Sequence, residues 1–159
     1  MSQYHVLVAR LDNELQRLDQ IVATANNQAL KANKTGDDDF LKAAALSLQN
    51  YYIDVERIFA EVAKQVDQSL PTGRNSHQKL LEQMQLEIPV TRPPVLLPET
   101  ASQIDEFRAF RHVVMHRYGF ELQPQRVREL VKQLIASHQL FSRDVQNFCQ
   151  FLLQVERSL

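Results

Sequence analysis

The apolar positions of this chain recur every three or four residues over long stretches and nowhere alternate with a period of two, a pattern that builds helices and leaves no place for a sheet. In the first stretch Leu7, Leu11, Leu15, Leu18, Ile21, Val22, Ala25 and Ala29 form one stripe, which predicts an amphipathic helix over 3–31. It stops before the turn at Lys34, Thr35 and Gly36. Asp37, Asp38 and Asp39 then place acid at the positive end of a second helix, which Phe40, Leu41, Ala44, Leu48, Tyr51, Tyr52, Val55, Ile58, Phe59, Val62 and Val66 carry to about Ser69. Consecutive carboxylates at a helix start diverge in direction, so the triplet reads as capping and not as a metal site.

After Pro71 and Gly73 the stretch SHQKLLEQMQ, 76–85, predicts a short helix. Pro89, Pro93, Pro94 and Pro98 then fall within ten residues, and proline's fixed φ and missing N–H exclude regular helix there. The expectation is an extended loop from Glu87 to Glu99, with Val95, Leu96 and Leu97 lying against the bundle. A fourth helix starts between Glu99 and Ser102, carries Ile104, Phe107, Phe110 and Val114 on one face, and stops at Tyr118 and Gly119. Pro124 suits the first turn of a fifth, whose stripe from Val127 to Val155 runs almost to Leu159, with a bend near Ser137 or Ser142. The predicted fold is all-α, a bundle of four long helices and one short one in a single domain, 1–159.

Composition adds bounds. Hydrophobic residues at 44% and charged residues at 23% fit a globular core and exclude general disorder. No apolar run reaches the roughly eighteen residues of a membrane span, and MSQYH lacks the layout of a signal peptide, so no membrane partner and a cytoplasmic location are expected. The lone Cys149, in the apolar context NFCQFLL, reads as packing. His5, His77 and His138 stand on separate elements and receive no role, and Tyr51 and Tyr52 read as core residues.

A formal net charge of −1 argues against a generally basic surface, yet the segment from Arg108 to Lys132 carries a local +4 and leaves −5 for the rest. Positive charge gathered there could hold a phosphate backbone, with Arg108, Arg117, Arg126 and Arg128 as the candidate contacts. Solvated basic helix faces are the bland alternative.

Within that segment lies the string RHVVMHRY, which puts Arg111, His116 and Tyr118 in the spacing R-x4-H-x-Y. These groups suit RNA cleavage in which the substrate's own 2'-hydroxyl attacks the adjacent phosphate. Arg111 can hold the non-bridging oxygens bidentately, and His116 can move a proton near neutral pH. Neither a metal nor a serine nucleophile is needed. On a helical wheel Arg111 lies beside the apolar stripe, and His112 and His116 point away from it. Two alternatives stay open. Cations in a last helical turn complement the dipole, and His112 with His116 at i, i+4 could meet zinc, although HVVMH lacks the glutamate of the protease motif and no third ligand follows.

At RHVVMHRY, near the end of the fourth helix of a bundle this size, the chain resembles the HepT-like branch of the HEPN superfamily. The resemblance implies a metal-independent ribonuclease toxin of a toxin–antitoxin pair. Such toxins are homodimers that bring two R-x4-H motifs to a shared cleft, cleave RNA (transfer RNA among the targets), and are neutralised by a minimal nucleotidyltransferase that adds AMP to the motif tyrosine. Arg111 and His116 would be catalytic and Tyr118 the AMP acceptor. His112, where the family often has Asn or Asp, would have a supporting role. No cofactor belongs to the chain itself; ATP and Mg would belong to the nucleotidyltransferase. The alternative is a non-catalytic helical accessory, or nucleotide-binding subunit, that docks the nucleotidyltransferase.

Overall fold

The structure, a computed structural model, describes residues 3–116 and 123–158. Among them are five α-helices: α1 Gln3–Thr35, α2 Asp39–Val62, α3 Ser76–Met84, α4 Pro98–His116 and α5 Pro124–Ser158. A π-helical turn, Ala63–Asp67, extends α2, and the described residues hold no strand beyond one isolated bridge. This is the expected all-α bundle of four long helices and one short one.

Each helix end has a local cause. Thr35 closes α1 because Gly36 adopts φ 70 and returns its N–H to the Ala32 carbonyl (2.9 Å). Capping at α2 falls to Asp37, whose Oδ1 accepts the Asp39 N–H (2.9 Å); Asp38 makes no side-chain cap. The second helix leaves the α-form at Val62, earlier than its stripe suggests. Its wider last turn ends at Gln68, whose φ of 55 turns the Ser69 N–H back onto the Ala63 carbonyl (3.0 Å). α5 continues as α-helix through both Ser137 and Ser142. Ser137 faces inward and donates to Gln103 Oε1 on α4 (2.7 Å).

α1 and α5 run antiparallel, as their paired residues show: Tyr4 with Glu156, Asp19 with His138, Asn33 with Arg128. α1 and α2 form an antiparallel hairpin, tied by Ser47 donating to Gln28 (2.7 Å) and by Arg17 and Arg57 flanking the buried Asp54 at 3.6 and 3.1 Å. One hydrophobic cluster runs through all five helices. Its largest fully buried side chains include Tyr51, Tyr52, Phe59, Phe107 and Phe141. His138, assigned no role from sequence, is buried among them and bridges helices. Its Nε2 donates to Asp19 Oδ1 (2.7 Å), and its Nδ1 accepts from the Tyr51 hydroxyl (2.9 Å).

The proline-rich segment is fastened at several points. Ile88 and Arg92 exchange backbone bonds, and the Val95 and Leu96 N–H groups both reach the Met84 carbonyl. Val95 and Leu96 pack inward as expected. Leu97 does not: it is half exposed, and its N–H donates to Asp144 Oδ2 (2.9 Å), which starts α4 against α5. The Arg92 side chain is wholly buried and spends all five of its N–H donors, on both Asp67 oxygens (2.6 and 2.8 Å) and on the carbonyls of Leu86, Pro93 and Gln83.

At the tip of this segment the Thr91 N–H donates to the Ile88 carbonyl (3.0 Å), with Pro89 and Val90 between them, as in a type II turn. The third position of that turn needs a positive φ, and Val90 supplies it at 64 while fully exposed. A β-branched residue there is strained by about 1–2 kcal/mol, whereas glycine adds back about 0.4–1 kcal/mol of unfolded-state entropy. Val90→Gly is therefore expected to stabilise the fold by about 0.5–1 kcal/mol, read as a melting temperature raised by about 1–4 °C; a fall would show that Val90 is held by contacts.

Burial, aided by Asp12, pushes the Cys149 thiol up to about 12, and burial holds the Tyr51 and Tyr52 phenols well above their ordinary range. In the folded chain these groups keep their protons while the unfolded chain releases them. Stability should thus be intact below about pH 9 and fall as the pH climbs towards 12, by about 1.4 kcal/mol per pH unit for each group involved. Denaturant unfolding at pH 8, 9.5 and 11 measures it, and a flat profile would contradict it.

Candidate functional site

α4 has an inner and an outer side. Ile104, Phe107 and Phe110 are buried, and Val114 packs partly against the core, as the stripe predicts. Arg111 lies at the edge of this stripe. It is half-buried, and its Nε is sequestered without a hydrogen-bond partner among the described residues. On α2, facing the same side of α4, the Tyr52 hydroxyl is also buried and has no hydrogen-bond partner among the described residues. The Tyr52 phenol is raised by burial first and by Glu56 next, and Arg108 and Arg111 oppose the rise, so these groups share one neighbourhood. Two orphaned polar groups, at roughly 1–3 kcal/mol each, are a cost that packing alone does not account for.

The remaining residues expected at the site fall into three sets. Arg108 is on the same side of α4, but its Nε is bonded to Asp105 (2.5 Å), which offsets its charge. Arg126 faces Glu129 at 3.9 Å, and Arg128 donates to Asn33 on α1 (3.1 Å); no hydrogen bond or ion pair among the described residues joins either to Arg111. His112 is exposed on the outer side of α4, with Val113 and Met115 as exposed apolar neighbours. The described part of α4 ends at His116, and the stop expected at Tyr118 and Gly119 lies outside the described residues. The side chain of His116, and the whole of Arg117 and Tyr118, lie outside the described residues.

One pair near Arg111 gave no sequence signal. Glu56, four residues beyond Tyr52 on α2, is largely buried and grips His77 Nδ1 with both oxygens, at 2.9 and 2.7 Å. His77 sits in the first turn of α3, whose packing against α4 nothing in its local sequence announces. Among the described residues no group of three or more His, Cys, Asp or Glu side chains could hold a metal ion. A groove of about 630 Å³ between α1 and α2 is lined by Arg10, Glu14, Arg17, Arg57, Glu61 and Lys64 among others, and is away from the motif. Its arginines already answer to acids, Arg10 to Glu61 at 3.6 Å and the other two to Asp54; Glu14, Asp54 and Glu61 each also keep a buried oxygen without a hydrogen bond among the described residues, but these are acids, and the unbonded cation that could meet a phosphate is Arg111.

Residues 43–152 match a family model described as HepT-like protein. The chain belongs to the HepT-like family of the HEPN superfamily. The match opens just inside α2 and closes near the end of α5, so it contains Tyr52, Glu56, His77 and the whole string from Arg111 to Tyr118. α1 of this HepT-like protein lies outside it. No curated protein and no solved structure matches the chain. Among the described residues of the HepT-like chain, no helix is long and apolar enough to cross a membrane.

Proposed function

We propose that this HepT-like protein is a metal-independent endoribonuclease toxin of a toxin–antitoxin pair, cytoplasmic and acting on RNA, transfer RNA included, as a homodimer. Membership of the family supports a HEPN-type toxin. The observation that carries the reading is Arg111, a guanidinium half-sunk beside the core with its Nε left unbonded, five residues ahead of His116. A cation kept at that cost is preorganised for an anion that arrives from outside.

In the reaction the 2'-oxygen bonds to phosphorus, the phosphorus–O5' bond breaks, and Arg111 stabilises the charge that builds on the non-bridging oxygens. His116 takes the 2'-hydroxyl proton, and His112 assists from the outer side of α4. Arg108, Arg117, Arg126 and Arg128 hold the flanking phosphates. Val113 and Met115, exposed on the last turns of α4, give a second copy an apolar surface to cover, which brings two Arg111–His116 sets to one cleft. Adenylylation of Tyr118 by a minimal nucleotidyltransferase, which brings its own ATP and Mg, would set negative charge and bulk beside Arg111 and His116, in competition with the RNA phosphate.

Attack by the 2'-oxygen dictates the products. Purified protein incubated with transfer RNA in EDTA should yield fragments ending in 2',3'-cyclic phosphate and beginning with 5'-hydroxyl. Intact RNA, or fragments ending in 3'-hydroxyl, would overturn the reading. Co-expression with the nucleotidyltransferase should add whole adenylate masses to the peptide containing Tyr118.

A further inference from the structure

RNA cleavage of this kind moves two protons, one off the 2'-hydroxyl and one onto the departing 5'-oxygen, and each transfer needs a group oriented for it. A second imidazole stands on the same side of the bundle. Glu56 accepts the Nδ1–H of His77 with both oxygens, which fixes the tautomer and the ring's orientation. The His77 side chain is 55% exposed, and its Nε2 has no hydrogen-bond partner among the described residues. A carboxylate behind one ring nitrogen and an open second nitrogen is the arrangement of a group that hands a proton outward.

Three observations place this pair on the flank of α4 that carries Arg108 and Arg111. Glu56 lies one helical turn beyond Tyr52, whose phenol feels the charges of Glu56, Arg108, Asp105 and Arg111. Gln78, next to His77, lines a crevice of about 230 Å³ together with Ser102 and Asp105 of α4. Asp105 in turn holds Arg108, one turn before Arg111. α2, α3 and α4 thus bring a phenol, a carboxylate–imidazole pair and two guanidinium groups to one side of the fold.

We propose that His77, oriented by Glu56, is the general acid of this site. Its Nε2–H passes to O5' as the phosphorus–O5' bond breaks, and His77 is left neutral while His116 is left carrying the proton of the 2'-hydroxyl. Glu56 is a positioning residue. The proposal rests on the ribonuclease reading above, and one experiment separates the two.

An RNA fragment cut by the wild-type protein is synthesised with sulfur in place of O5' at the cut linkage, because a thiolate departs without needing a proton. His77→Gln is expected to slow cleavage of the oxygen linkage by about 10²–10³-fold and to cleave the sulfur linkage at the wild-type rate. Glu56→Gln should fall between the two on the oxygen linkage, with Glu56→Asp restoring part of the loss. Equal rates for wild type and His77→Gln on oxygen would overturn the general-acid assignment and leave the nuclease standing. Equal loss on both linkages would give His77 a binding or structural role and also overturn it. Wild-type protein that cuts neither RNA removes the nuclease reading, and the general acid with it.

Discussion

Arg111→Ala is expected to reduce RNA cleavage by about 10²–10³-fold without lowering the melting temperature. The first number follows from losing one preorganised charge at a developing oxyanion, which costs about 2.7–4 kcal/mol of transition-state stabilisation. The second follows from the Arg111 Nε, which is buried and unbonded, so removing it takes away a standing cost on the order of 1–3 kcal/mol against whatever packing the side chain's stem provides. His116→Ala should lose about 10²–10⁴-fold, and the double variant little more than the worse single one, because the two groups act on one step. A helix-stabilising role for these cations leads to the opposite pattern: stability falling by about 0.3–1 kcal/mol with cleavage intact. Initial rates on one RNA, beside a thermal melt of each variant, decide between them. Cleavage that survives both substitutions would sink the assignment.

Asp67→Ala is expected to cost about 3–5 kcal/mol, a large part of the roughly 5–15 kcal/mol that holds a domain together. Asp67 and Arg92 are both out of reach of water, with side chains 2% and 0% exposed, so losing the carboxylate strands a guanidinium in the interior. In a chain of this size the melting temperature should drop by about 6–20 °C. Replacing both partners with apolar residues often recovers the loss from a buried ion pair, but here it should recover only part. Arg92 also satisfies the carbonyls of Leu86 and Pro93, and these would be left unbonded, whereas Gln83 keeps the Leu86 N–H on its carbonyl (3.1 Å) and the Ser69 carbonyl on its amide (2.9 Å). Urea titration of Asp67→Ala, Arg92→Met and the double variant tests this, and a double variant as stable as the wild type would refute it.

Much of the fold was legible because each long helix buries one stripe, and a stripe is a local property: Leu7 to Ala29, Leu41 to Val66 and Val127 to Leu152 point inward as their spacing requires, save Ile135, which the spacing also put on the α5 stripe and which is exposed. Where expectation and structure part, the cause is non-local. The π-turn at Ala63–Asp67 brings Asp67 to an arginine 25 residues away, and Leu97 faces outward because its N–H is claimed by Asp144, 47 residues on. His138 looked isolated along the chain, yet its partners lie on two other helices. At the site, the wheel placed Arg111 beside the core and His112 outside, as found. Glu56 and His77 could not be paired from sequence, since the turn that joins α2 to α3 sets where His77 lands.

The anchoring of Arg92 bears on how copies of this protein meet. α4 and α5 follow α1–α3 through one connector, and two chains could in principle trade these halves, each lending its last two helices to the other. Trading requires the connector to swing out, and it cannot do so while a sequestered guanidinium pins it to the end of α2. The pin thus opposes such trading, and Asp67→Ala is expected to release interlocked dimers, seen by size-exclusion chromatography, as well as lower the melting point.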